Sequence, residues 1–288
     1  MTSSIRPTVQ RRRLRTELRR RREEADQTRE QVAGEMDWSL SKLIRIEAGT
    51  VSISTTDLKA LLDHYGVAPG EKRDELVTLA RLSKKRMWWS DLKERVAPQL
   101  LTYIGFEAEA NRICYYCTVF IPGVFQTEDY TRAIFSGFSL EPKPTDAVDA
   151  WVELRLERQR RLRRRSEPPK IHAVLDEAAL HRAVGGPRVM AAQLHSLEEV
   201  AADPDVTIEV LPFVAGENPG MARTFMIFEF GDPGDDVVYL DSGPEDVLIQ
   251  DAPDKVDEYR RVFRTMSELS LDQADSLQLI NGIAKSME

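Results

Sequence analysis

Apolar residues recur at helical spacing through the first ninety residues and then give way to a different texture. Between Arg11 and Glu24, Leu14 and Leu18 form one apolar stripe on a helix otherwise covered by Arg and Glu. Thr28 followed by Gln31 fits a capping box, and Val32, Ala33 and Met36 supply the inner face of a second short helix, about Thr28 to Met36. Asp37-Trp38-Ser39 interrupts the pattern. Ser39 is placed to cap a third helix, in which Leu43, Ile44 and Ile46 recur toward a stop at Gly49. Leu58, Leu61, Leu62 and Tyr65 predict a fourth helix ended by Gly66 and Pro69, and a fifth runs from Glu71 toward Arg86. Residues 1–10 lack apolar periodicity and read as a flexible arm.

After Trp88 and Trp89, short runs rich in β-branched and aromatic residues predict strands at Ile113–Phe120, Ile171–Leu175, Val206–Leu211, Thr224–Phe230 and Val237–Leu240. Helical stretches lie between and after them, near Leu100–Arg112, Thr127–Phe138, Thr145–Arg165, Pro187–Ala202 and Asp254–Glu268, with a last one from Leu271. The pattern divides the chain into an arm (1–10), an all-α five-helix domain (11–87) and an α+β domain (88–288).

Charge sharpens that division. The formal net charge of −8 is the wrong sign for a polyanion binder, but the first 95 residues hold 21 basic and 15 acidic residues, a surplus of six positive charges. The remainder holds 19 basic and 33 acidic, a surplus of fourteen negative ones. A basic N-terminal part joined to an acidic body implies two different tasks, with nucleic acid the partner of the first. With 42% apolar and 31% charged residues the chain has material for a core. It holds no apolar run of membrane-spanning length, and its start lacks the apolar segment of a secretory signal, so a cytoplasmic location is expected, on the nucleoid when DNA is bound.

The stretch TREQVAGEMDWSLSKLIRIEAG meets the demands of a helix-turn-helix: two short helices, a small residue (Ala33) where they cross, and a second helix with a polar outer face of Ser39, Ser41, Lys42 and Arg45. Over about 55 residues, including Glu47-Ala48-Gly49, it resembles the phage-repressor type of helix-turn-helix, the xenobiotic-response-element superfamily. By that resemblance Arg29 takes the place of a phosphate-clamping residue, and Ser39, Leu40, Ser41, Lys42 and Arg45 occupy base- and phosphate-reading positions. Short hydroxyls bond several bases, whereas Lys42 and Arg45 reach guanine O6 and N7. One departure is Asp37 in a turn that usually holds glycine.

The larger part has its own likeness. The blocks WW (88–89), GFEAEANRI (105–113), IPGVFQTEDYTRAIF (121–135), LRLERQRRL (154–162), LDEAALHRAVGGP (175–187) and VLPFVAGENPG (210–220) resemble actinobacterial regulators that join such a helix-turn-helix to a large domain of unknown function. The resemblance implies a transcriptional regulator and a small protein encoded by a neighbouring gene as a possible partner; the expectation is a homodimer on double-stranded operator DNA, with the C-terminal domain binding a partner protein or small effector. An antitoxin-like or anti-regulator protein, binding that neighbour as its main activity, is the alternative.

Phe213, Gly216, Glu217, Asn218 and Gly220 lie where a strand runs into a glycine-rich loop, either a ligand or partner loop or an ordinary connection. The run Arg155, Arg158, Arg160, Arg161, Arg163, Arg164 and Arg165 is either a solvated face or a docking patch. Cys114-x-x-Cys117 lacks the second ligand pair a structural zinc site needs and fits core packing, or else redox sensing. No phosphate loop, nucleophile elbow or HExxH helix accompanies acidic residues such as Asp176, Glu177 and Glu217. The expectation is therefore no enzyme, no catalytic residue, no metal site and no cofactor.

Overall fold

A computed structural model describes residues 6–49, 51–92, 96–137, 141, 143–232, 234–241, 247–250 and 252–288. The chain forms two compact units that divide between Glu109 and Ala110.

The first unit is all-α: α1 (Pro7–Glu24), α2 (Arg29–Glu35), α3 (Leu40–Glu47), α4 (Thr55–His64), α5 (Glu71–Leu82) and α6 (Pro98–Glu109), with a 3-10 turn at Trp88–Leu92. Its core joins Leu14 and Leu18 of α1, Val32 and Ala33 of α2, Leu43 and Ile46 of α3, Leu58, Leu61 and Leu62 of α4, and Leu76 and Ala80 of α5. Leu14, Leu18, Val32, Ala33, Leu43, Ile46, Leu58, Leu61 and Leu62 are positions the 3.6-residue period selects. The caps agree as well: Thr28 and Gln31 form the reciprocal box, and Ser39 and Ser54 accept from Lys42 N and Asp57 N.

Two boundaries differ from expectation. Helix α1 starts at Pro7, so residues 7–10 of the expected arm are helical and Val9 is buried; residues 1–5 lie outside the described residues. The cause is a hundred residues away, where the Glu109 carboxylate accepts from Thr8 N (2.8 Å) and Val9 N (3.0 Å), satisfying the open amides of the helix start. Gly105 lets α6 approach, since a Cβ there would lie 2.2 Å from Thr8 Oγ1. Trp88, Trp89 and α6 therefore belong to the helical unit, not to the following domain.

The second unit is built on a six-stranded mixed sheet of β1 (Arg112–Cys117), β2 (Lys170–Asp176), β3 (Val206–Leu211), β4 (Phe225–Glu229), β5 (Val237–Asp241) and β6 (Val247–Gln250), in the order β3-β2-β1-β4-β5-β6. Strands β1, β2 and β3 run parallel, linked by α7 (Glu128–Gly137) and α8 (Thr145–Arg163), then by α9 (Glu177–His181) and α10 (Pro187–Ala201). Strands β4, β5 and β6 continue antiparallel, and α11 (Pro253–Leu269) and α12 (Gln273–Ser286) follow. Cys114, Tyr116, Val174, Phe225, Ile227 and Val238 cluster with Val256, Phe263 and Met266 of α11. The five expected strands are present; the short β6 and α9 were not expected. The α+β reading of this part holds. No helix among the described residues is long and apolar enough to cross a membrane.

Candidate nucleic-acid interface

Helices α2 and α3 are joined by a tight turn whose geometry follows from its residues. Asp37 has φ 52°, so it takes the left-handed conformation that glycine usually supplies, and Trp38 N then bonds back to Ala33 O at 2.8 Å. Asp26, before α2, does the same at φ 51°. Gly49, just past α3, has φ 74°, the left-handed ending expected of a helix stop.

At about 100° per residue, Leu43, Ile46 and Glu47 mark the inner side of α3. Its outer side carries Ser41, Ile44, Arg45 and Ala48, with Leu40 and Lys42 on the flanks. Leu40 is 37% exposed and Ile44 42%. Ile44 recurs with Leu43 and Ile46 in the sequence but does not share their side of the helix: it faces out. The result is a surface of one hydroxyl, one long cation and two methyl-bearing side chains. It suits base edges that offer acceptors beside thymine methyl groups.

The other expected readers are more constrained. Ser39 Oγ accepts from Lys42 N and caps α3. Lys42 reaches sideways, with Nζ 3.2 Å from Asp57 Oδ2 and 3.9 Å from the centre of the Trp38 ring, which braces α3 against α4. Arg29 Nε lies 2.7 Å from Glu47 Oε2, while Arg22 Nε binds Glu47 Oε1 at 2.7 Å and Arg22 Nη1 binds Gln27 O. Glu47, with its side chain only 2% exposed, thus ties α1, α2 and α3 together. That is the physical content of the acidic residue before the helix-ending glycine. Arg29 stays half-exposed but is held by that carboxylate. Arg45 is exposed, and its Nε donates to Ser41 O, 3.3 Å away.

In the second unit the expected loop is a pair of 3-10 turns, Phe213–Ala215 and Pro219–Ala222. Gly216 has φ 67°, and Asn218 shapes the bend by donating to Gly216 O and accepting from Gly220 N, each at 3.1 Å. Gly220 is packing: a Cβ there would lie 2.5 Å from the Tyr116 ring and from Met266 Sδ. Glu217 is exposed. Phe213 is 59% exposed with its ring stacked on His181, and its N–H donates to Glu177 Oε2 at 2.7 Å; Val214 is 91% exposed. Asp176 caps α9 through Ala178 N. Both cysteines are buried and outside any disulfide, and burial pushes the Cys114 thiol up to about 12.

A family model described as a helix-turn-helix domain matches residues 13–76, so the first unit contains the module that DNA-binding regulators carry. A second, described as Domain of unknown function (DUF5753), matches residues 100–282, more than half of the chain, and the protein belongs to that family. No curated protein and no solved structure matches the chain.

Proposed function

We propose that this protein is a sequence-specific transcriptional regulator of the phage-repressor type, kin to the xenobiotic-response-element regulators of actinobacteria. Helix α3 enters the major groove, Ser41, Ile44 and Arg45 read bases, and Ser39, Leu40, Lys42 and Arg29 align the helix with the backbone. One observation carries the reading: Leu43, Ile46 and Glu47 seal the inner side of α3, while Ser41, Ile44 and Arg45 are exposed together on its outer side. The second unit supplies dimer contacts and binds an effector or a partner protein. Asp176 and Glu177 already serve as helix cap and loop anchor, so the reading assigns no catalysis to them.

The test is affinity for an operator selected from random duplexes by the full chain. Arg45→Ala is expected to lose about 1–3 kcal/mol of binding, and Ile44→Ala to relax the preference at a thymine position. Footprints of a dimer should show half-sites about 10 bp apart or a multiple of that. Wild-type affinity and preference in both variants would remove α3 from the groove.

A second reading is favoured by one feature, the exposed apolar Phe213, Val214 and Met221 of the second unit. In it, binding a small neighbouring-gene protein is the main activity and DNA binding is autoregulatory. Co-expression with that neighbour and a Phe213→Ser/Val214→Ser variant decide the matter. A complex lost in the variant supports it, and no complex with the wild type excludes it.

A further inference from the structure

A cavity of about 630 Å³ lies in the helical unit, lined by Arg11 of α1, Ser52 of the α3–α4 connection, and Lys84, Lys85, Arg86 and Ser90 beyond α5. Asp91 also lines it and is paired with Arg86. Its volume falls within the ~300–1,000 Å³ range of small-molecule sites. Lys84 and Lys85 make no ion pair among the described residues, so the wall keeps an uncompensated positive charge. Arg11 binds Ser83 O through Nη2 at 3.0 Å, but its Nε is buried without a hydrogen-bond partner. Burial pushes the Arg11 guanidinium below its ordinary pKa, outweighing the opposing pull of the Glu109 carboxylate. Ser90 Oγ accepts from Met87 N, which leaves its O–H to donate.

Cations at the end of α5 also complement the helix dipole. That effect accounts for Lys84 and Lys85, and Asp91 pairs Arg86, but neither accounts for Arg11 on the same concave wall. Planar guanidinium groups beside flexible ammonium groups and hydroxyls are the donor set that recognises phosphate oxygens.

We propose that this cavity is a phosphate-binding site of the helical unit, of a size to take a phosphorylated small molecule such as a nucleoside diphosphate. Occupancy would bear on α3, because Gly49 at its end packs against Arg15 and Arg11: a Cβ there would meet Arg15 Cδ at 3.2 Å and Arg11 Cδ at 4.0 Å. Only this coupling rests on reading α3 as the recognition helix; phosphate binding does not.

The test is calorimetric titration of the full chain with sodium pyrophosphate and with adenosine diphosphate at constant ionic strength, beside titration with two unrelated DNA duplexes. Lys84→Gln/Lys85→Gln alters exposed side chains and should lower the thermal midpoint only slightly, by the lost complement to the α5 dipole. Lys72→Gln, outside the cavity, is the control. Saturable binding of either small probe, weakened at least tenfold in the double variant and unchanged in Lys72→Gln, establishes the site with a free phosphorylated ligand. Flat small-probe titrations with both duplexes weakened alike, and a salt slope reduced by about two, assign the same site to DNA phosphates. Identical behaviour of the double variant and the wild type with every probe overturns the proposal.

Discussion

Helices α1 and α8 look alike as sequences, each a run of arginines and glutamates, yet their charges are spent differently. In α1, Arg19, Arg20 and Arg21 pair with Glu17, Glu23 and Glu24 of the same helix, while Arg22 crosses to Glu47 of α3. In α8, Arg160 and Arg161 share Glu157, but Arg155 turns inward to Gln126 and over the Phe135 ring, Arg158 is buried, and Arg165 beyond the helix reaches Ala110 O at 2.6 Å. Partners within the helix or elsewhere in the fold occupy much of both runs, though Arg163 and Arg164 of the second are exposed. A run of like residues therefore reports helix and solubility, and partners elsewhere in the fold decide which cations are structural. Lys84 and Lys85, which make no ion pair among the described residues, line the cavity beyond α5.

The comparison is broken or sharpened by removing the carboxylate or amide that each run depends on. Glu47→Gln strips two arginines of a buried partner and should cost about 3–5 kcal/mol of stability, read by urea unfolding; a loss below about 1 kcal/mol would demote it to a surface pair. Glu109 acts on the other end of α1. Burial raises its carboxyl from the ordinary 4.5 to about 7, outweighing the Thr8 and Val9 amides that lower it. A folded-state value above the unfolded one means stability present below about pH 4.5 and lost as pH rises through 7, roughly 3 kcal/mol in all. Wild-type unfolding midpoints should fall from pH 5 to pH 8, and Glu109→Gln should flatten that slope; equal slopes would refute the assignment.

For α8, Gln126→Ala leaves Arg155 and Thr131 without their shared acceptor and Ile121 O without its donor. About 1–3 kcal/mol should be lost, seen as a lower thermal midpoint. The smallest effect belongs to Glu157→Gln, whose pairs are exposed on one helix: under about 1 kcal/mol, fading in high salt. A larger, salt-independent loss there would show that the two helices differ less than their partners imply.

Much of the helical unit was legible because its information is local. Periodicity, the Thr28–Gln31 box, the Ser39 and Ser54 caps and the Gly49 stop each act within a turn or two, and Asp37 announced its own strained conformation. The start of α1 was hidden because its amides are satisfied by Glu109, far along the chain. The outward placement of Ile44 was not legible, because apolar character alone does not separate the core side of an eight-residue helix from its flank.

The sequence by itself thus determined the helix-turn-helix, the α+β texture of the second unit with its five principal strands, and the residues available to α3. Tertiary structure decided their roles: Lys42 turned to Asp57 and Trp38, Arg29 held by Glu47, Ile44 facing outward, Gly220 kept by the nearness of Tyr116 and Met266. The reason is one of range. Backbone preferences and amphipathic periods are written within a few residues, whereas ion pairing, burial and close approach depend on groups that only the completed fold brings together.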